Sequence, residues 1–432
     1  MTPLQVLTPR GGTFFVLGLC AVLAGIALGY PDITRVGIVL TLLPLLALTV
    51  ARRMAPQLAV SRTVTPHRLL PDEPAVVEAS FRNVGGRRTP LYLAQEQLDV
   101  HLGDQPRFVL HPLDRGESRR LKYHVRSSTR GAYRLGPLSL RQRDPFGLTY
   151  VAVRLSSTTE VVVLPRVIEL TGRGSLAQGR GSEGERPQMV ALHGEDDVSI
   201  RTYRDGDELR RVHWPATAHR GELMVRQEDR PARRRAVLIL DSRSSAHGRP
   251  PLPSASFEYA ISALASVARV LMLQGYVVHL LSAHTVSEGT ASQPMGLDTL
   301  LDILARAQRD DDLGLEAVAG AAHTFTAGGV LAVAALVAHD AEELRHVAAI
   351  REHGSTAIAF VLDRPSFEGR SADRSGAADS GPGTPAAPRS VPPHQSQVLR
   401  DAGWTTTTCT PEVSISTAWM HVQAASATGG IR

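Results

Sequence analysis

Hydrophobic and polar positions follow three successive rhythms along the chain, and each predicts a different architecture. From Gly11 to Tyr30 no charge interrupts the apolar run, over about the twenty residues that a bilayer-spanning helix needs. A second uncharged run, Val36 to Ala51, is shorter and is broken by Pro44. Pro31, Asp32 and Arg35 form a polar turn between the two, so residues 1–53 read as a transmembrane helical hairpin. From Leu58 to Leu164 the period becomes two. Val77, Ala79 and Phe81 alternate with Glu78, Ser80 and Arg82, while Leu121, Tyr123 and Val125 alternate with Arg120, Lys122, His124 and Arg126. Turn signals at Asn83-Val84-Gly85-Gly86 and Asp114-Arg115-Gly116 separate such runs. Short half-buried strands at this spacing predict an antiparallel β-sandwich over residues 54–168.

The third rhythm begins at Ala236 to Leu240, a continuous apolar run that ends in Asp241 and suits a strand buried on both faces of a parallel sheet. Helical spacing over Phe257–Leu273, Leu297–Ala307 and Ala341–Arg351 alternates with strand-like runs over Tyr276–Leu281, Val330–Val337 and Thr356–Leu362. This alternation predicts a doubly wound α/β domain over residues 232–363 and 398–426. Residues 364–397 are too poor in large apolar side chains to build a core and predict a disordered insertion. Beyond it, Val398 to Cys409 and Ile415 to Val422 read as the final strand and helix. Residues 169–231 remain as a Gly- and Ser-rich loop followed by a charged motif. The expected fold class is α/β plus all-β, behind an N-terminal hairpin.

Charge gives the hairpin a direction. Arg10 precedes it and Arg52-Arg53 follow it, so the positive-inside rule puts both ends and the main body in the cytoplasm of a multi-pass cell-membrane protein, with Arg35 weakening the asymmetry. A cleaved signal peptide fits less well, because a second apolar run follows where a hydrophilic mature start belongs. Leu17-Gly18-Leu19-Cys20 is a poor lipoprotein box, since Leu19 is bulky. Cys20 and Cys409 cannot make a disulfide framework, in keeping with a reducing compartment for the body. Lysine and arginine exceed the acids only by 47 to 42. The excess gathers between Arg210 and Arg235, so no nucleic-acid partner follows from it.

Two stretches carry candidate chemistry. The first crowds charge, glycine and tryptophan together: Arg201, Tyr203, Asp205, Gly206, Asp207, Arg210, His213 and Trp214, with Arg220 beyond. Gly206 between two aspartates reads as a tight turn at positive φ. Asp207 and Arg210 are spaced to pair on a helical turn, and Trp214 before Pro215 is expected to bury its ring. The motif is either a clasp between sandwich and α/β domain or a partner-docking surface. The second is Asp241-Ser242-Arg243-Ser244-Ser245, at the carboxyl end of the first buried strand, where ligands of open α/β sheets gather. It resembles the D-x-S-x-S metal-adhesion site of von Willebrand factor type A domains, with Ser245 and Asp340 as further ligands and Thr290 in an intervening loop. Arg243 stands where a hydroxyl belongs, and its charge opposes a cation. Weak magnesium binding is the most this set predicts; the competing reading is an aspartate capping the next turn, paired with Arg243.

Taken together, the hairpin, Arg130-Gly131-Ala132-Tyr133, Leu135-Gly136-Pro137, Asp144-Pro145-Phe146-Gly147-Leu148, Val163-Leu164-Pro165-Arg166 and the core motif with Ala218 and Arg220-Gly221-Glu222-Leu223 resemble the bacterial domain-of-unknown-function-58 proteins. The chain departs from them at His219, where arginine is the commoner residue. The resemblance implies a two-helix anchor, a β-sandwich and a von Willebrand factor type A-like domain with an often degenerate metal site. It also implies, as partner, a MoxR-type AAA+ ATPase encoded alongside, and in related bacteria a transglutaminase-like membrane protein.

Enzyme signatures are missing: there is no H-E-x-x-H, Walker phosphate loop or G-x-S-x-G elbow. His193, His213 and His219 lack metal-ligand spacing, and Glu195, Asp196 and Asp197 read as a solvated face. The expected function is a membrane-anchored, non-enzymatic assembly or adaptor protein, without a cofactor, working with the ATPase in maturation of envelope-related complexes. A divalent-metal-dependent binding module is the alternative, and an envelope-metabolism hydrolase or transferase a more distant one.

Overall fold

The computed structural model describes residues 8–53, 57–143, 147–170, 198–203, 212–228, 234–250, 254–310, 313–326, 329–338, 341–352, 355–368 and 393–428. The chain forms two compact units, Met1–Leu164 and Pro165–Arg432, and each is described by itself.

The first unit opens with α1 (Pro9–Leu28) and α2 (Pro31–Arg53). The Thr8 side chain caps α1, and Gly29 ends it at φ 72°, a left-handed conformation that glycine adopts without strain. The two helices lie backbone against backbone. The buried positions of α1 are Gly11, Gly18 and Gly25, seven residues apart on one face. A Cβ on Gly18 or Gly25 would collide with Thr41 or Thr34 of α2, and one on Gly37 would lie 2.6 Å from the Val22 nitrogen. Small residues are what let membrane helices approach this closely, since lipid supplies no hydrophobic drive to bring them together. Pro44 sits inside α2 without ending it, as hydrophobic spans tolerate. Both helices are long and apolar enough to cross a membrane, with only 17% of each apolar window buried. A third helix, Ala255–Leu273, meets the same test of length and apolarity but has 61% of its window buried, which makes it a core helix.

Behind the hairpin, the period-two pattern becomes a sandwich. One sheet runs β1 (Leu58–Thr65), β3 (Ala75–Asn83), β6 (Ser118–Val125), antiparallel throughout. The other is ordered β2 (Arg68–Leu69), β9 (Thr159–Val163), β7 (Gly131–Arg143), β4 (Tyr92–Leu98), β5 (Arg107–Leu110), with β8 (Tyr150–Leu155) also on β7. Val77, Ala79 and Phe81 are fully buried, as their alternation predicts. The core also contains charge. Arg62 and Glu96 occupy inward positions of β1 and β4, and both side chains are wholly buried. The Arg62 Nη2 and Nε donate to the two Glu96 oxygens at 2.9 and 3.3 Å, and Nη1 donates to the Ser157 carbonyl at 2.9 Å. Burial pushes the Glu96 carboxyl upward, and the Arg62 charge and hydrogen bonds pull it back. The ion pair also accounts for Gly136: at φ +96°, a Cβ there would lie 2.5 Å from the Ser157 carbonyl and 3.2 Å from Arg62. Tyr133 closes the preceding turn, its hydroxyl donating to the carbonyls of Thr129 and Arg130 at 3.0 and 3.1 Å.

The second unit contains a five-stranded parallel sheet ordered β13 (Val277–Leu281), β12 (Arg235–Leu240), β14 (Leu331–Val337), β15 (Ala357–Leu362), β16 (Thr405–Cys409). Helix α5 (Ala255–Leu273) lies against it, and α7 (Leu297–Arg306) packs on α5. An opposite core joins the sheet to α8 (Leu315–Thr326), α9 (Ala341–Ala349) and α10 (Pro393–Asp401). There Val237 and Ile239 of the sheet meet Val318 and Ala322 of α8, Leu344 and Val347 of α9, and Leu399 of α10. Between β13 and α7 comes the short α6 (Ala283–Ser287), and α11 (Ile415–Thr428) follows β16. A separate antiparallel pair, β10 (Val198–Thr202) and β11 (Met224–Glu228), is connected through α3 (Trp214–Arg220).

Two sequence expectations change. Val398 to Cys409 is not one strand: its first part is the end of α10, the turn beyond that helix passes through Gly403 (φ 82°), and only Thr405–Cys409 joins the sheet. The flanks of the expected insertion are ordered, with 364–368 helical and Phe367 buried, and with α10 beginning at Pro393; residues 369–392 lie outside the described residues.

Removing Arg62 strands the Glu96 carboxylate in the sandwich core, so Arg62→Ala should destabilise the first unit by about 3–5 kcal/mol, and Arg62→Met with Glu96→Leu should recover most of that. Amide exchange of β1 and β4 is the measurement, because all three tryptophans, Trp214, Trp404 and Trp419, belong to the second unit. Equal exchange in Arg62→Ala and the unaltered chain would contradict the assignment.

Candidate functional site

The strand order turns the chain one way from β12 to β13 and the other way to β14. The crevice at the carboxyl ends of β12 and β14 is therefore the place where an open parallel sheet gathers ligands. Asp241 stands there, immediately after the buried strand β12, and is itself buried. It spans the two strands: its backbone N–H donates to the Ala335 carbonyl at 3.1 Å, and its Oδ2 accepts from the Val337 N–H at 3.3 Å.

Arg243 occupies the mouth of this crevice. Its Nε donates to Asp241 Oδ1 and its Nη2 to Oδ2, each at 2.8 Å, while Nη1 reaches Glu343 in the first turn of α9. This is a two-pronged fork, the geometry in which a guanidinium best matches a carboxylate. Burial works against the charged Asp241, but the Arg243 hydrogen bonds and charge outweigh it and hold the carboxyl below its ordinary value. The same partners raise Arg243 against its own burial. A fixed cation thus sits on both carboxylate oxygens.

His247, at the end of α4 (Ser244–His247), forms the floor of the cluster. It is buried, its Nδ1 lies 2.9 Å from Ser256 Oγ, and its ring packs on Phe257. Burial pushes its pKa down to about 4, with the Asp241 carboxylate opposing and Arg243 and Arg309 reinforcing the shift. Asp363 ends β15 along the same edge, buried, one oxygen accepting from Ser366 Oγ.

The other sequence-predicted ligands are not gathered in the same way. Ser245 is exposed, and its carbonyl accepts from Arg364 at 2.8 Å. Thr290 is engaged with Thr285 in the turn after α6. Asp340 lies outside the described residues. Among the described residues, no group of three or more His, Cys, Asp or Glu side chains could hold a metal ion. Sequence reasoning missed Glu343, His247 and Asp363. Asp363 had a signal, an aspartate closing an apolar strand as Asp241 does; Glu343, a hundred residues from its partner, had none.

The core motif divides. Asp205, Gly206, Asp207 and Arg210 lie outside the described residues. Arg201 pairs with Val225 between β10 and β11, and the Tyr203 N–H donates to the Leu223 carbonyl at 2.7 Å. His213 caps α3, its Nδ1 accepting from the Ala216 N–H at 3.2 Å. Gly221 ends that helix at φ 74°, which explains the glycine of Arg220-Gly221-Glu222-Leu223. Trp214 overturns the expectation of a buried ring: at the first position of this short helix, none of whose residues is buried, it is 67% exposed. Arg220, in the last turn, is exposed as well. A groove of about 600 Å³ lies elsewhere, between α8 and α9, lined by Gly320, His323, Arg345 and His346 among others.

His247 is neutral in the folded chain down to about pH 4, whereas an unfolded histidine takes up its proton near 6.5. Protons therefore favour the unfolded state between those values, and stability of the second unit should fall by about 3 kcal/mol from pH 6.5 to pH 4 from this group alone. Urea unfolding followed by fluorescence of the buried Trp404 and Trp419, with His247→Gln as reference, isolates the effect; parallel pH profiles for the two chains would contradict it.

No curated protein matches the chain. Among solved structures, it is similar to the CARDB domain of the PF1109 protein from Pyrococcus furiosus, at 20% identity over 25% of this chain and 89% of that one, with a TM-score of 0.20. It is also similar to the putative ApaA protein from Bordetella pertussis, at 10% identity over 25% and 92%, with a TM-score of 0.19. Scores this low carry no argument about fold or function. The family described as Protein of unknown function DUF58 matches residues 199–307, from β10 through α7, so this part of the chain, with the core motif, Asp241 and Arg243, is similar to that family.

Proposed function

We propose that the protein is a membrane-anchored adaptor whose core motif docks a partner, with a MoxR-type AAA+ ATPase as that partner and a transglutaminase-like membrane protein as a further member of the complex. The observation that carries this reading is Trp214, a large aromatic side chain exposed on the motif, with Arg220 exposed at the other end of the same short helix. Tryptophan and arginine are the residues that most often anchor protein interfaces, and an indole left in water gains by being covered. The parallel sheet with its degenerate aspartate site supports a von Willebrand factor type A-like domain as the scaffold. Arg243 favours this adaptor over a metal-dependent ligand-binding module: a divalent ion would have to displace a hydrogen-bonded guanidinium from Asp241, so any magnesium binding is weak.

Because Trp214 is exposed, Trp214→Ala should leave stability within about 0.5 kcal/mol of the unaltered chain. It should weaken capture of a MoxR-type ATPase in a crosslinking pulldown from native membranes. Full capture by the variant would sink the docking role of the motif.

The same reading places the body in the cytoplasm. Arg10 and Arg52-Arg53 flank the hairpin, and the intervening Arg35 is paired with Asp32 at 2.9 Å, which offsets the one charge that weakens the asymmetry. A phosphatase reporter fused after Arg432 should be inactive; activity would reverse the orientation and remove the ATPase from reach.

A further inference from the structure

Both ends of the hairpin run into one end of the sandwich. The Thr8 N–H and hydroxyl donate to the carbonyls of Leu148 and Gly147 in the β7–β8 turn, at 2.9 and 2.6 Å. On the other side, Gln57 follows α2 by four residues, at most about 14 Å of extended chain, and its carbonyl accepts from the Val84 N–H at 2.9 Å. The β3–β4 and β5–β6 loops are at this same end, next to the tether.

These loops are held in one shape by Asn83, a buried side chain. Its Nδ2 donates to the carbonyls of Arg87, Leu113 and Asp114 at 2.8, 3.1 and 3.2 Å, and its Oδ1 accepts from the Gly85 N–H at 2.9 Å. Thr89 and Leu113 add a reciprocal pair, N–H to carbonyl at 2.9 Å and N–H to hydroxyl at 2.8 Å. The rim so fixed exposes Arg87, Arg88 and Arg115. Between and beside them Val84 is 60% exposed and Leu91 51% exposed. Asp114 offsets part of the charge, 3.3 Å from Arg88.

We propose that this rim is a lipid-contact surface, on which Arg87, Arg88 and Arg115 meet the phosphates of anionic phospholipid headgroups and Val84 rests at the apolar boundary. The occupant follows from position and charge together. A rim hydrogen-bonded to Gln57, four residues beyond α2, is held near the bilayer surface, and a basic loop pair with an apolar tip matches what that surface offers. Each basic residue near an anionic leaflet is worth roughly five-fold in attachment, an effect that fades within a Debye length. Arg120 and Lys122 lie farther along β6 and share Glu78, so they contribute less. The inference rests on the hairpin spanning the bilayer and is independent of the adaptor reading.

The test uses the full chain in nanodiscs, with Cys20→Ser to leave only the buried Cys409, and with Val84→Cys carrying a nitrobenzoxadiazole probe. In discs of phosphatidylcholine with phosphatidylglycerol, probe emission should be brighter and blue-shifted relative to phosphatidylcholine alone. Raised salt should reduce the difference, and Arg87→Glu with Arg115→Glu should abolish it while amide exchange of β3 and β6 stays unchanged. Equal emission in both lipids, or a shift that survives the charge reversal, would mean that protein or water covers the rim and would overturn the proposal. Alkaline carbonate separates the failures: an extracted chain overturns the anchor and this proposal with it, whereas a retained chain with a lipid-blind probe overturns the proposal alone.

Discussion

A carboxylate taken out of water must be met by fixed donors, and each unit is arranged around one that an arginine fork satisfies. In the sandwich, Glu96 on one sheet is held by Arg62 on the other, so the two sheets can pack in only one register without stranding a charge. The nearby chain accommodates the pair, with Gly136 keeping clear of Ser157 and Arg62. Buried pairs of this kind contribute little net stability compared with apolar residues of the same volume. Their effect here is to penalise alternative sheet pairings, where a one-residue slip would turn the charges outward.

In the α/β unit the fork has a different consequence. Asp241, Arg243 and Glu343 link the end of β12 to the first turn of α9, and Asp241 bonds the backbone of β14 as well. A metal at such a place can leave, arrive and be exchanged for another; a tethered guanidinium can do none of these. The crevice is therefore organised without dependence on ion supply, which suits a structural platform more than a switchable ligand grip.

Much of this was legible in the residues. Period-two alternation located the sandwich strands, and even its buried charges carried a signal, since Arg62 follows Leu58 and Val60 on the inward positions of β1 as Glu96 follows Tyr92 and Ala94 on β4. The continuous apolar run before Asp241 located β12. The pairing of Asp241 with Arg243, two residues on, was open to local reasoning, but the third partner on α9 depended on topology. Helix α8 is hard to see in the sequence because its buried stripe, Leu315, Val318, Ala319 and Ala322, is half alanine and stands out weakly from a segment dominated by alanine, glycine and threonine. The helix and strand of Val398 to Cys409 are separated in the sequence only by the helix stop Gly403, which carries the left-handed turn between them. Side-chain size favours a buried Trp214, but a seven-residue helix has little face to bury it on.

The brevity of the hairpin turn bears on how the protein is made. Only Gly29 and Tyr30 separate α1 from α2, too few residues for the first helix to settle in lipid while the second waits outside. The glycine contacts moreover leave the helix faces complementary to each other. The two spans are thus suited to enter the bilayer during synthesis as a single preassembled wedge. In a hairpin that enters the bilayer tip first, Asp32 and Arg35, joined as an ion pair, would cross the hydrocarbon carrying almost no net charge.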